Sequence, residues 1–486
     1  MKNLIKKIRN IMKKSEISGY NLSKLTGISE GQLSLIFNNK RQITSSQFYK
    51  IIEVLPISVA DKEEMTEDFC KLYYSFNDYT SIKHIYAMIK QLSDLTLYDS
   101  KLTELMEPSK LTEPFEDKIY RGANVNLVLS ALMSNEFALG DKYIYFYLGN
   151  NEQSYLLSNI DLIVRSYKHK NKIIVISDFS NEAQESYSNV ATLKNLLPIA
   201  LSDHTQSYEF YYENVPAQLN NSYLTPYPYF IVFSNCIVFI NSVGDEIMLH
   251  SHPDVVKSMQ NRCEGRMLNC KKMMELSSTV YSMIEEVVSN NGETQHFYGL
   301  EYEPCFAMQL SPEIAMGIVP TNIEGLDEMK KILSLRLSQL KNIKKSIQIF
   351  DKNSLMEFAA TGRIQEFPPE YARNLTVEER VYLLNELLKC AKTDEHIIRA
   401  LNPSNLVLSE CVSMFQSNGF VQFSMWGNTK TAHKYCNIKE ESIYGAFKTF
   451  MKFLPVSSYV YTKDQTIAFI EEALEYATEQ VGKSRD

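Results

Sequence analysis

Between Ser18 and Arg41 the chain reads SGYNLSKLTGISEGQLSLIFNNKR, and the side chains there that could do chemistry would do it by contact and not by bond-making. Gln32 carries an amide that matches the donor and acceptor edge of adenine, and Leu35 offers a surface suited to a thymine methyl. Ser34 can bond either kind of edge, and Gly31 permits close approach. Ser18, Ser29, Asn39, Lys40 and Arg41 are hydroxyls, an amide and cations, groups of the kinds that bind phosphates. Together these types point to recognition of a polyanion with readable edges, which is duplex DNA.

Such side chains read only from a rigid support. At about 100° per residue, Leu33, Ile36 and Phe37 fall on one face of a helix capped by Ser29, and Gly31, Gln32, Ser34, Leu35 and Asn38 fall on the other. The helix closes at Asn38-Asn39. A shorter helix precedes it, with Leu22 and Leu25 as its apolar pair and Ser23 small enough for close approach. Gly27 stands where the turn needs positive φ, and Ile28 anchors that turn. This is a helix-turn-helix layout. Before it, residues 2 to 14 repeat Leu4, Ile8, Ile11 and Met12 at helical intervals. After it, Thr44 caps a helix with Phe48, Ile51, Ile52 and Leu55 inward, Pro56 ends that helix, and Ser58 starts a fifth.

The motif Leu22-Ser23, Gly27-Ile28-Ser29, Leu33-Ser34-Leu35-Ile36, Asn39-Lys40-Arg41 and the Thr44 cap resembles the lambda-repressor-like, or XRE, group of helix-turn-helix regulators. The resemblance covers about the first 60 residues. It implies a compact helical domain that reads DNA through Ser29 to Leu35, with Asn39 to Arg41 near the phosphates. The chain departs from the group at Gly19, often a phosphate-binding glutamine, at Leu35, often basic, and at Glu30, which adds a negative charge.

The charge distribution agrees with a DNA-binding head. The chain carries −8 in total, yet residues 1 to 60 hold ten Lys or Arg against three acids, a net +7, leaving 40 basic and 55 acidic residues, −15, for the remainder. The eight cysteines contain no C-x-x-C pair, as expected of reduced thiols in a cytoplasmic protein. No secretory signal precedes the lysine-rich first helix. Tyr227 to Val243 is the most apolar run, but Ser234-Asn235 interrupts it and its β-branched and aromatic content predicts a buried hairpin, so no membrane span is expected.

The fold expected is an N-terminal all-α helix-turn-helix domain followed by a large α/β, mixed-sheet region. Its divisions are a head at 1–65, a helical connector at 66–118, an α/β sensor or dimerisation domain at 119–300 and a C-terminal α/β domain at 301–486. In the connector, Phe69, Leu72, Tyr73 and Phe76, then Ile85, Met88, Ile89 and Leu92, recur at helical spacing, with a break at Asn77-Asp78 and exits at Pro108 and Pro114. The middle region alternates helix and strand: helices at 124–139, 153–167 and 189–201, strands at 142–148, 172–179 and 208–215, the hairpin at 229–242, and long helix from Pro253 to about Asn290. The last third predicts a helix with Leu326, Met329, Ile332 and Leu333 on one face, then strands within 346–350, 405–415, 420–427 and 457–462, and helices between and after them. That order echoes the middle region and raises an internal duplication, although no residue string repeats.

Other constellations were weighed for chemistry. His250-Ser251-His252-Pro253-Asp254 could present two imidazoles and a carboxylate to a metal, but it lacks a third ligand at fixed spacing and reads better as a polar loop after Gly244-Asp245. There is no G-x-S-x-G, phosphate-binding G-x-x-x-x-G-K-[ST], G-x-G-x-x-G or H-E-x-x-H. The middle layout resembles a phospholipase-D-like backbone, yet around His169 the chain reads Lys168-His169-Lys170-Asn171-Lys172, without the H-x-K-x-x-x-x-D of that group. Asp161 and Asp178 stand where a sheet offers polar groups to a ligand. The aromatic run Tyr208 to Phe230 could line a pocket, but edge-strand packing accounts for it more simply. Trp426 is the one tryptophan.

The sequence therefore predicts a cytoplasmic, sequence-specific transcriptional regulator and not an enzyme, without metal or cofactor. Its expected partners are a double-stranded DNA operator, a second copy in a homodimer, and a small-molecule or peptide effector. Two rival readings are a helix-turn-helix head fused to an enzymatic α/β domain and a peptide-pheromone receptor, which would be all helical.

Overall fold

Once per turn of α1 (Lys2–Lys14) the spacing brings Leu4, Ile5, Ile8 and Met12 to one side, and in the computed structural model all four are buried. The structure describes residues 1–98, 115–140, 142–149, 172–182, 186–201, 207–215, 226–277, 296–320, 326–365, 367, 372–417, 419–425 and 434–483. Four helices complete the head: α2 (Gly19–Thr26), α3 (Glu30–Phe37), α4 (Ser45–Val54) and α5 (Val59–Tyr73). Thr44 and Gln47 form a capping box on α4, and Ser58 caps α5 through the Asp61 amide at 3.1 Å.

Within the connector, one long helix, α6 (Phe76–Tyr98), follows α5, with Ile85, Met88, Ile89 and Leu92 buried. Its start lies earlier than the sequence indicates. The break is at Tyr74-Ser75, where Ser75 Oγ accepts from the Asp78 amide at 3.1 Å, so Asn77 and Asp78 belong to the first turn. Leu72, Tyr73 and Phe76 flank this break and are exposed, unlike Phe69. Pro108, Pro114, the helix expected at 153–167 and Trp426 lie outside the described residues.

Among the described residues two mixed sheets follow. The first contains β1 (Ile119–Arg121), β2 (Tyr143–Gly149), β3 (Lys172–Ser180), β4 (Ser207–Val215), β5 (Tyr229–Val232), β6 (Ile237–Ile240), β7 (Glu246–His250) and β8 (Lys271–Lys272), ordered β1-β7-β6-β5-β2-β3-β4-β8. The second contains β9 (Met274–Ser277), β10 (His296–Glu301), β11 (Lys345–Phe350), β12 (His396–Ala400), β13 (Val412–Ser417), β14 (Phe420–Met425) and β15 (Lys434–Ile438), ordered β12-β11-β10-β13-β14-β15-β9. Their helices are α7 (Ala123–Leu139), α8 (Ser186–Leu201), α9 (Pro253–Met267), α10 (Pro312–Ile318), α11 (Leu326–Lys341), α12 (Lys352–Thr361), α13 (Val377–Lys392), α14 (Glu441–Phe453) and α15 (Lys463–Lys483).

Read from opposite ends, the sheets have one topology. β2, β3 and β4 are parallel, β5, β6 and β7 form an antiparallel meander on the β2 side, and β1 closes the meander. β10, β11 and β12 are parallel, β13, β14 and β15 form the same meander, and β9 closes it. The duplication is thus one of strand order and direction. Sheet membership changes between Lys272 and Met274, so β9 and β10 belong with the C-terminal strands and not with the middle region as the division at residue 300 had it.

Three segments differ from expectation. The helix from Pro253 stops at Met267, short of Asn290, because the Met273 amide finds the Phe210 carbonyl at 2.8 Å and β9 finds β15. Residues 246–250 form β7 instead of a loop. Residues 457–462 make an isolated bridge, Leu401 to Val460, since Thr462 already opens the turn leading to α15. Leu333 is buried on α11, whereas Met329 and Ile332 lie outside the described side chains.

One hydrophobic cluster runs from the head through α6 into one face of each sheet. Within it α8 packs on α6 and on α14. The opposite face of the first sheet packs on Val256 and Cys263 of α9, and α12, α13 and α15 enclose a separate core on the far side of the second.

Candidate nucleic-acid interface

α2 and α3 are short helices held by side-chain caps and a locked turn. Ser18 Oγ accepts from the Asn21 amide at 3.1 Å, and Ser29 Oγ from the Gln32 amide at 3.4 Å. Gly27 sits at φ +69°, its amide donating to the Ser23 carbonyl at 2.9 Å. Thr26 Oγ1 donates to the Leu22 carbonyl at 2.7 Å and accepts from the Ile28 amide at 3.2 Å. Thr26, and not Leu25, is therefore the inward partner of Leu22; Leu25 is 59% exposed. The spacings i, i+3 to Leu25 and i, i+4 to Thr26 both suit a residue to the face of Leu22, and threonine qualifies because the backbone satisfies its hydroxyl.

Leu33, Ile36 and Phe37 are buried and tie α3 to the head, while Gly31, Ser34 and Leu35 are exposed and Gln32 is half-buried. Leu35 is 43% exposed. After α3, Asn39 turns the chain at φ +54°, and the Lys40 and Arg41 amides both donate to the Leu35 carbonyl, at 2.9 and 3.2 Å. Ser18, Ser29, Asn39, Lys40 and Arg41 are all exposed. The structure thus places the nine sequence-selected residues on two caps, one helix face and the loop that closes that helix. Ser34 is less free than its type suggests, because its Oγ accepts from Asn38 Nδ2 at 3.3 Å.

Three further residues border this surface without any sequence signal. Arg9 donates to Asn38 Oδ1 at 3.0 Å and lies 5.9 Å from the Phe37 ring, so α1 braces the end of α3. Lys24 Nζ lies 4.5 Å from the centre of the exposed Tyr20 ring at the start of α2. No local periodicity links positions 9 and 38. The head's positive charge is also less uniform than its total. Lys7 is engaged by Asp68 at 2.6 Å and Glu64 at 2.8 Å, which hold its ammonium well above the usual lysine range. The cations left in solvent include Lys40 and Arg41.

The head is fastened to the body. Tyr49 meets Phe453 edge-on at 6.4 Å, Tyr74 meets Phe453 at 5.7 Å, and Tyr86 stacks on Tyr459 at 5.0 Å while its hydroxyl donates to the Asn405 carbonyl at 2.9 Å. Burial pushes the Tyr74 phenol up to about 12.

The other constellations resolve separately. His250 Nδ1 lies 3.5 Å from Asp117 and His252 Nδ1 lies 4.0 Å from Asp254, so the two imidazoles face different carboxylates. Among the described residues no three His, Cys, Asp or Glu side chains gather as a metal set. Asp178, near the end of β3, lies inside a network: Tyr147 donates to it, Arg266 reaches it at 3.1 Å, and Arg266 also holds Glu213 at 2.7 Å. Burial raises the Asp178 carboxyl above its usual range against the opposing pull of Tyr147 and Arg266. Asp161 and His169 lie outside the described residues. The hairpin of Tyr227 to Val243 is β5 and β6, and among the described residues no helix is long and apolar enough to cross a membrane.

Residues 7–66 match the Cro/C1-type helix-turn-helix DNA-binding domain, so the chain contains such a domain in this segment. No curated protein matches the chain. Among solved structures, a phosphatidylserine synthase of Haemophilus influenzae Rd KW20 is similar at 11% identity and a TM-score of 0.25, covering 75% of this chain and 93% of its own. TrmBL2, an archaeal chromatin protein, is similar at 10% identity and a TM-score of 0.19, covering 48% and 84%. A polyphosphate kinase of Porphyromonas gingivalis is similar at 10% identity and a TM-score of 0.21, covering 76% and 56%. Similarities this low carry no functional argument.

Proposed function

We propose that the chain is a sequence-specific transcriptional regulator whose head reads a double-stranded operator and whose body dimerises and senses an effector. The observation that carries this reading is the open outward face of α3, from Gly31 to Leu35, on a helix whose opposite face is anchored in the core. Gln32 takes an adenine edge, Leu35 a thymine methyl, and Ser34 a further edge, with Gly31 allowing approach. Ser18 and Ser29, at the N-termini of α2 and α3, together with Asn39, Lys40 and Arg41, hold phosphates. One head supplies few base contacts, so two heads on a homodimer would read half-sites about one helical turn apart. An effector would act by shifting the spacing of the heads, and the reading assigns no catalysis to the body.

The test is to recover and sequence genomic DNA retained by the purified chain at physiological salt, beside Gln32→Ala combined with Leu35→Ala. Enrichment of a common site by the wild type, lost in the folded double variant, is the expected outcome. Equal site affinity in both would overturn this docking, and retention that ignores sequence and vanishes as salt rises would reduce the head to a cation patch.

A further inference from the structure

The repeated strand order also shows how one unit meets the next. β8 lies along β4, the Met273 amide donates to Phe210 on β4, and β9 then opens the second pattern. The closing strand of the second pattern therefore starts against the last parallel strand of the first. Its counterpart, β1, is the end strand of its sheet, and no described strand pairs with its outer side.

Among the described residues the ladder leaves the backbone groups of that side without a strand partner. The Lys118 carbonyl accepts from the Leu249 amide at 3.1 Å and the Gly122 amide donates to the Asp245 carbonyl at 2.9 Å. In the alternation of an antiparallel pair, Lys118, Tyr120 and Gly122 then face β7, and the N–H and C=O groups of Ile119 and Arg121 face outward. Ile119 is 43% exposed and Leu127 of α7 is 51% exposed, and with Phe115 and Asn124 they line a hollow beside the strand. Cations commonly guard such an edge against pairing. Here both are already partnered: Lys118 is 2.9 Å from Glu116, and Arg121 bonds to Glu246.

The opposite end of the array is closed. The Tyr461 amide donates to the Ala400 carbonyl at 2.8 Å, the Asn402 amide to the Tyr459 carbonyl at 2.9 Å, and the Ala400 amide to Thr466 Oγ1 at 3.1 Å. These contacts cover the C-terminal end of β12 and lead into α15, which itself packs on β12, so β1 of a second copy does not find the internal junction repeated there. An edge that cannot join head to tail can still join its own copy about a two-fold axis.

We infer that β1 is the interface with a second copy of this chain: it pairs antiparallel with its symmetry mate, joins the two first sheets, and covers Ile119 and Leu127. This rests on the reading of the chain as a dimeric operator-binding protein. Sedimentation velocity on the full chain tests it, with Ile119→Pro, which removes an N–H that β7 does not use, and Leu127→Glu. Circular dichroism establishes that each variant is folded, and if Ile119→Pro is not, the surface change Leu127→Glu decides. The expected result is a wild-type dimer and self-association weakened about tenfold or more in each folded variant. A wild type that stays monomeric, or a dimer unmoved by both changes, overturns the interface. The DNA-retention experiment on the same preparations separates the two ideas. Site enrichment with an unmoved dimer sinks the edge alone, and a weakened dimer without site enrichment in the wild type sinks the operator reading alone.

Discussion

Where β2, β3 and β4 end beside the last turn of α9, Arg266 holds two carboxylates and lies 4.4 Å from the centre of the Tyr147 ring. Beside α14, the counterpart helix of the second unit in chain order, the packing is mostly apolar, with Leu300, Ile349, Phe450, Met451 and Leu454 in one cluster and the neutral Gln416 donating to the Tyr444 carbonyl at 2.7 Å. The same strand order accepts either filling because the ladder is set by backbone pairing, and side chains have only to fill the layer between sheet and helix. The apolar filling has a consequence. It lets α14 end in Phe453, which meets Tyr49 and Tyr74, so the head is seated on the unit farther from it in sequence.

The largest effect is expected from removing the charge in the first unit. Arg266→Ala leaves the nearly buried Asp178 without its cation and should cost about 3–5 kcal/mol in urea unfolding. If the apolar solution of the second unit is transferable, Arg266→Met with Asp178→Leu recovers most of that loss; an additive loss in the pair would show that the two units differ in more than filling. Phe453→Ala should cost about 3 kcal/mol by opening a cavity at the joint, and hydrogen exchange should rise in α4 and α5 before it rises in the first sheet. Uniform exchange would deny the joint its special place.

Acid should loosen the packing of α6 on α8. His84, on α6, is held neutral by burial and by Lys194 and Lys83, which bring its pKa down from the usual 6.5 to about 4. Between those values the unfolded chain takes up a proton that the folded chain refuses, so stability is full above pH 6.5 and falls as pH drops toward 4. A decline of about 1–3 kcal/mol is expected across that window, and His84→Asn should flatten it. The smallest effect is at a cap: Thr44→Ala should lower thermal stability by about 1 kcal/mol without changing the DNA site enriched. A changed site would mean that α4 takes part in reading.

Much of the head is legible in the residues. Ser29, Gly27, Thr44 and the stripe Leu33, Ile36 and Phe37 act within a few positions of one another, and local chemistry decides them. Leu25 was misjudged because local spacing weighs a leucine above a threonine, whereas burial went to the residue whose hydroxyl the turn could satisfy. Arg9 bracing Asn38 could not be read, since that bond joins elements far apart in the chain. In the body, β3 and β5 announce themselves by composition. β9, β12 and β15 do not, because their strand character comes from the neighbours they pair with.

The sequence by itself determined that a capped, glycine-turned helical pair stands at the front of this protein with a polar face outward, because caps, turns and helical periodicity are written over a few residues. Only the tertiary structure decided that the body repeats one strand order twice and that the head rests on the second copy. It also decided that the end of β12 is covered by the turn into α15, while no described strand pairs with the outer side of β1. Those features depend on pairings between residues hundreds of positions apart, and nothing in the local string distinguishes a strand that finds a partner from one that does not.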